Sequence, residues 1–187
     1  MKSALIVIDV QNYFVNEETK GLPRKIANFI EKNKFDFVLF TQFVNKDDSN
    51  FVKLLDWKKC FSSPDIDIHK TLRRFTTSEN TFKKTAYSIF KGEGFIDFLK
   101  KNNITKLFLC GIDTDSCVLA SASDAFDLGY QVEVVKRLCQ SHSGEEYNSA
   151  AVRIINKSIQ KKNKWVFLFM MANRFGIPEE VEKRIRE

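Results

Sequence analysis

The sequence predicts an α/β fold, a three-layer αβα sandwich around a Rossmann-like parallel sheet of about six strands. Three observations carry that expectation. The runs at 3–8 (SALIVI), 35–43 (FDFVLFTQF) and 106–112 (KLFLCGI) are dominated by consecutive apolar residues, as strands buried on both faces are. Stretches with helical periodicity fall between the strand-like runs. Finally, Asp9, Lys84 and the loop from Gly111 to Cys117 fall at strand ends, where parallel α/β sheets gather ligand chemistry. A chain of 187 residues suits one domain, 1–187, large enough to bury a substantial core.

Taken in order, SALIVI is the first strand and stops at Asp9. A polar turn leads to a helix beginning at Pro23 (PRKIANFIEKN), because proline is pre-organised for the first helical turn. The second strand is 35–43. Residues 45–80 show little periodicity and read as a functional excursion or a small helical insert. TFKKTAYSIF (81–90) is a strand running into a loop, and GFIDFLKKNN (94–103) is an amphipathic helix. After the strand at 106–112, residues 115–129 form a helix stopped by Gly129. A strand at 131–135, a helix at 145–160, a last strand at 164–170 and a final helix from Pro178 complete the reading.

Composition narrows the function classes. The formal net charge is +6, but the lysine pairs at 58–59, 83–84, 100–101 and 161–162 are spread along the chain with acids between them. That distribution argues against nucleic acid and membrane surfaces as partners. Most of the 18 phenylalanines are assigned to the core and to pocket walls. Four cysteines occur without a CxxC pair or zinc-ligand spacing, and the opening MKSALIVIDV lacks a signal-peptide cleavage pattern. A reduced, cytoplasmic setting is the expectation. The run from Trp165 to Ala172 is too short to span a bilayer.

The chemistry centres on Cys117. In CGIDTDSC a strand meets a glycine turn and then a helix start, with Thr114 as the N-cap and Cys117 in the first helical turn. A thiol there feels the helix dipole and nearby N–H groups, and its pKa is expected to fall below that of a free cysteine. Asp9, at the lip of an apolar strand, is suited to act as general base. Lys84 is a cation that would stabilise the thiolate and orient the carboxylate. Cys60, Cys110 and Cys139 read as inert, and His142, which follows a strand and could touch the pocket, as a satisfied loop histidine.

These residues fall in three segments. IVIDVQNYF (6–14) resembles the opening motif of the isochorismatase-like hydrolases; KTAYSIF (84–90) and GIDTDSCVLASASDAFDLGY (111–130) resemble their second and third motifs, in the same order. The resemblance covers about residues 3 to 160. It implies a catalytic triad of Asp9, Lys84 and Cys117. It further implies a cis peptide between Ile112 and Asp113, and an oxyanion hole formed by the backbone N–H groups of Asp113 and Cys117.

The branch of the family is read from two departures. Members that act on the enol ether of isochorismate generally lack the cysteine present here as Cys117, which points to carbonyl chemistry on a small amide, ureide or carbamoyl C–N bond. Nicotinamidase-like members carry an Asp-x-His metal motif after the second strand, where this chain reads TQFVNKDD (41–48), and only two histidines occur in all. No catalytic metal and no cofactor are expected. Phe14, Gln42 and Phe43 are the pocket candidates, with Phe51, Trp57, Phe61 and Phe75 available to close the site. A homo-oligomer, dimer or tetramer, is expected from the resemblance and from the aromatic content of 51–75. A silent binding or scaffold protein on the same fold and a thiol redox protein are the competing readings.

Overall fold

A computed structural model describes residues 1–159. The expected strand at 164–170 and helix from Pro178 lie outside the described residues. Within them, five parallel strands form one sheet: β1 (Lys2–Ile8), β2 (Phe37–Phe43), β3 (Thr81–Lys84), β4 (Ile104–Gly111) and β5 (Gln131–Cys139). Their order is β3-β2-β1-β4-β5. The expected count of about six thus becomes five among the described residues. The helices are α1 (Leu22–Lys32), α2 (Asn50–Leu55), α3 (Phe95–Lys101), α4 (Leu119–Asp127) and α5 (Glu145–Ser158).

β1 is central, and Ala4, Leu5, Ile6, Val7 and Ile8 are all buried, which is why its sequence runs apolar without alternation. Side chains in register share a face, so Leu5, Val38 and Phe108 point one way and Phe37 the other. Phe29 of α1 and the following Phe35 stack on the Phe108 side, with ring centroids 5.8 and 5.4 Å apart in turn. Phe98 of α3 meets Phe37 at 5.6 Å on the opposite face, and Phe82 joins it at 5.3 Å. Helices therefore cover both faces, and the sheet is the middle of three layers. The chain leaves β1 towards β2 on one side and reaches β4 on the other. The carboxyl ends of β1 and β4 therefore flank the switch point where such sheets hold their ligands.

Two boundaries differ from expectation. β5 continues to Cys139 instead of ending at Val135, because Leu138 and Cys139 return to the core after the register shift opposite Leu109 and Gly111. The helix expected to begin at Asp115 starts as a wide π-helical turn over Thr114–Val118, whose Val118 N–H donates to Asp113 O at 2.9 Å, and becomes α-helical only at Leu119. Thr114 is not the cap. Its hydroxyl donates to Asn148 Oδ1 at 2.7 Å instead, tying the turn to α5.

Candidate active site

Asp9 follows β1 with φ at +48°, a left-handed conformation that aspartate tolerates better than most residues. That reversal ends the strand and swings the carboxylate into the interior. Its N–H donates to Thr41 Oγ1 at 3.2 Å, and the same hydroxyl donates back to Asp9 Oδ1 at 2.7 Å. Gln11 is fully buried and clamps the neighbouring strand end. Its Nε2 donates to Phe43 O and Ile66 O, and its Oε1 accepts from Phe43 N–H at 2.7 Å.

Lys84, the last residue of β3, is buried, and its ammonium faces an ion-pair partner and two hydrogen-bond acceptors. Nζ lies 2.6 Å from Asp9 Oδ2, 2.8 Å from Ala86 O and 3.4 Å from Cys117 Sγ. Both side chains of the ion pair have no exposed surface. Burial works against the Lys84 ammonium, but the Asp9 carboxylate and Cys117 outweigh it and leave the amine above the ordinary lysine range.

Cys117 sits in the π-helical turn that follows β4. Gly111 makes this approach possible: at φ +127° a Cβ would stand 2.1 Å from Ile8 O, so only glycine lets β4 pass β1 here. The next peptide, Ile112–Asp113, is cis. Ser121 Oγ donates to Cys117 O and accepts from Ile89 N–H at 3.1 Å, joining the cysteine turn to the loop that follows Lys84. The structure thus brings Asp9, Lys84 and Cys117 into one cluster.

The expected fall in the Cys117 pKa is not what this environment produces. Burial pushes the thiol above the ordinary cysteine range; Lys84 pulls it down, and Asp9, both through its charge and through a hydrogen bond, pushes it up again. The physical reason is charge balance. Lys84 is already neutralised by Asp9, so a thiolate would add an uncompensated charge in a buried site. Burial also raises Cys60 and Cys139, each to about 12, and Cys110.

A cavity of about 210 Å³ opens over the cysteine, walled by Phe14, Phe43, Phe51, Leu55, Trp57 and Tyr87, with Asp113, Ser116, Cys117 and His142 as its polar groups. Phe14 and Phe43 are where the sequence put them. Gln42 is not: alternation along β2 turns it to the opposite face, where Nε2 donates to Ile66 O at 2.8 Å. Phe51 and Trp57 come from the excursion between β2 and β3, whereas Phe61 is at the surface and Phe75 packs under Arg74. Asn45 builds that wall, donating to Trp57 O and Lys59 O and accepting from the Ser49 hydroxyl.

His142, which the sequence offered as a residue that could touch the pocket but read as a satisfied loop histidine, lines the cavity and is paired with Asp113. Its ring Nδ1 lies 2.6 Å from Asp113 Oδ2, and its N–H donates to Asp113 Oδ1 at 2.7 Å. The hydrogen bond it donates to Asp113 holds the imidazole above the ordinary histidine range against the opposing effect of burial. An aspartate directly before the Thr114–Val118 turn and a histidine just after a neighbouring strand were the only signals, and neither indicates a pair before the strands are placed side by side.

A five-stranded parallel sheet with a buried carboxylate, amine and thiol at its carboxyl edge defines an α/β enzyme-like scaffold. The isochorismatase domain matches residues 3–161, and the chain belongs to the isochorismatase family of hydrolases. It is 25% identical over 160 residues to isochorismatase family protein 2A of Dictyostelium discoideum, covering 81% of this chain and 73% of that one. Among solved structures it is similar to the nicotinamidase PncA from Bacillus subtilis, with a TM-score of 0.71 at 27% identity over 85% of this chain and 97% of the other. It shares its fold with the N-carbamoylsarcosine amidase from Thermoplasma acidophilum, with a TM-score of 0.66 at 22% identity over 82% and 92% of the two chains.

Proposed function

We propose that this protein is a cysteine hydrolase that cleaves the C–N bond of a small amide, ureide or carbamoyl compound through a thioester on Cys117. The observation that carries the reading is the position of Lys84 Nζ, 2.6 Å from Asp9 Oδ2 and 3.4 Å from Cys117 Sγ, beneath a small aromatic cavity. The relatives solved as a nicotinamidase and an N-carbamoylsarcosine amidase support carbonyl chemistry of this kind.

In the proposed cycle the thiol rests neutral, as its burial favours. Asp9 takes the Sγ proton as the sulfur attacks the substrate carbonyl, and Lys84 keeps the carboxylate and the developing thiolate in place. The backbone N–H groups of Asp113 and Cys117 receive the oxyanion, and one such donor is worth about 3 kcal/mol. The Asp113 N–H has no acceptor among the described residues, which suits that role. Asp9 returns its proton to the nitrogen leaving group, ammonia or an amine departs, and the same carboxylate then activates water to hydrolyse the thioester. The reaction uses no metal or cofactor. The four free cysteines suit a reduced, cytoplasmic setting, and the exposed Leu54 and Leu55 on α2 suit a homo-oligomer.

The test is intact-protein mass spectrometry during incubation with a panel of small amides, ureides and carbamoyl compounds. An acyl adduct on wild-type protein that maps to Cys117 and is absent from Cys117→Ala is the expected result. Full turnover by Cys117→Ala would overturn the mechanism.

A further inference from the structure

The catalytic cycle leaves two paired side chains of the cavity unused, those of His142 and Asp113. His142 is held at its ring and at its backbone. Asp113 takes its Nδ1 and its backbone N–H, while Asn16 Nδ2 donates to His142 O at 2.8 Å. The Tyr13 and Phe14 rings lie 6.4 and 5.6 Å from it. The loop carrying it is fastened to the strand end before the cysteine turn: Gln140 N–H donates to Gly111 O, and Thr114 N–H to Gln140 O. Such a side chain is pre-organised, not a loose surface histidine. With Nδ1 engaged, only Nε2 remains, and it has no partner among the described residues although the ring forms part of the cavity wall.

We propose that His142, fixed by Asp113, is the specificity-determining donor of this pocket: its Nε2–H receives a neutral hydrogen-bond acceptor on the acyl portion of the substrate, a second carbonyl or its equivalent, while the aromatic wall covers the rest. This assignment rests on the amide-hydrolase reading. The donor form is the imidazolium, since a neutral ring that gives Nδ1–H to Asp113 would present Nε2 as an acceptor. The groups facing His142 favour the imidazolium. Asp113 is in contact with it, Asp115 acts on it from the same turn, and burial alone opposes; Tyr13 lies beside the ring, and Cys117 and Tyr87 are titratable groups of the same cavity.

Charge balance selects a neutral acceptor over a carboxylate. Lys84 is matched by Asp9, and His142 by Asp113. Asp115 is left over, with Oδ1 buried and without a hydrogen-bond partner, and its field reaches both His142 and Tyr87. An anionic substrate group would add to that unbalanced negative charge.

Three amides on one skeleton test this: malonamide, with a neutral second carbonyl, malonamate, with a carboxylate, and isovaleramide, with an apolar branch. In Cys117→Ala protein, where no turnover interferes, the 15N and 1H signals of the His142 ring are expected to shift on adding malonamide and to stay in place with isovaleramide. In the hydrolysis assay the wild type is expected to favour malonamide over isovaleramide at least tenfold in KM. His142→Phe should erase that preference, and His142→Gln, which keeps an N–H, should restore part of it. The preference should also fade as pH rises through the His142 transition. No movement of the His142 signals with malonamide overturns the assignment, as does an unchanged preference in His142→Phe. A response to malonamate as large as to malonamide overturns the choice of a neutral acceptor. A His142 response without any acylation of Cys117 in wild-type protein would overturn the hydrolase reading and leave the pocket assignment standing.

Discussion

At the residue scale the site is a charge-balanced buried cluster, and its balance dictates how it responds to change. Removing Lys84 leaves Asp9 buried with no counter-charge, and breaking a buried pair from one side costs about 3–5 kcal/mol. Lys84→Met is therefore expected to lose most activity and to lower the denaturation midpoint by a corresponding amount, measured by urea titration. The thiol provides a second check. Because its pKa is raised, the thiolate fraction at neutral pH is below that of a free cysteine and grows about tenfold per pH unit until the pKa is reached. Iodoacetamide labelling of Cys117, followed by peptide mass spectrometry, should climb steadily to pH 9 and beyond, and more slowly in Lys84→Met. A plateau below pH 8 would contradict a neutral resting thiol. The identities of Asp9, Lys84 and Cys117 were legible in the sequence through their motifs. The direction of the thiol's shift was not, because the helix-terminus argument omitted what burial and an already paired lysine do together.

At the element scale, the close pass of β4 over β1 controls where the cysteine turn begins. Gly111→Ala would drive a Cβ into Ile8 O and force an unfavourable φ, a change expected to cost at least about 2 kcal/mol and to reduce activity with it. Equilibrium denaturation of the variant against wild type measures this. The loop after β5 carries a pH signature. His142 binds its proton more tightly when folded, so its contribution is complete below the unfolded value of about 6.5 and is lost as pH rises through the higher folded value. Thermal melts should separate wild type from His142→Gln more at pH 6 than at pH 8.5. Periodicity placed the strands and most helices, since burial on two faces leaves a continuous apolar run. It did not foresee the π-helical turn at 114–118, which depends on how Asp113 O and Val118 N–H meet once the loop is folded. Nor did it foresee the orientation of Gln42, which follows from the alternation of β2 against a sheet whose faces were not yet known.

At the scale of the whole molecule, five parallel strands converge their carboxyl edges so that segments more than 100 residues apart in sequence share one cavity: Phe14 and His142 both line it. The short α2 and the Trp57 segment complete the wall but leave Leu54 and Leu55 exposed. An apolar surface of that kind beside the cavity mouth is expected to be covered by a second copy of the chain. Light scattering at micromolar protein should return a mass of two or four chains, and Leu54→Lys with Leu55→Lys should lower it; a monomer mass for the wild type would contradict this.

The sequence by itself determined the fold class, the strand ends that matter and the chemical types at the site, because these follow from local apolar patterning and from motifs a few residues long. Tertiary structure alone decided three things. It set the protonation of Cys117, which is the sum of burial and of charges contributed by three different strand ends. It chose which aromatic residues of the long excursion face the cavity, which Asn45 fixes by donating to the backbone carbonyls of Trp57 and Lys59. It also made His142 and Asp113 a pair, which exists only because β4 and β5 are neighbours in the sheet. The charges of Asp9 and Lys84 on Cys117, and the pair of His142 with Asp113, join residues that no short window along the chain contains together.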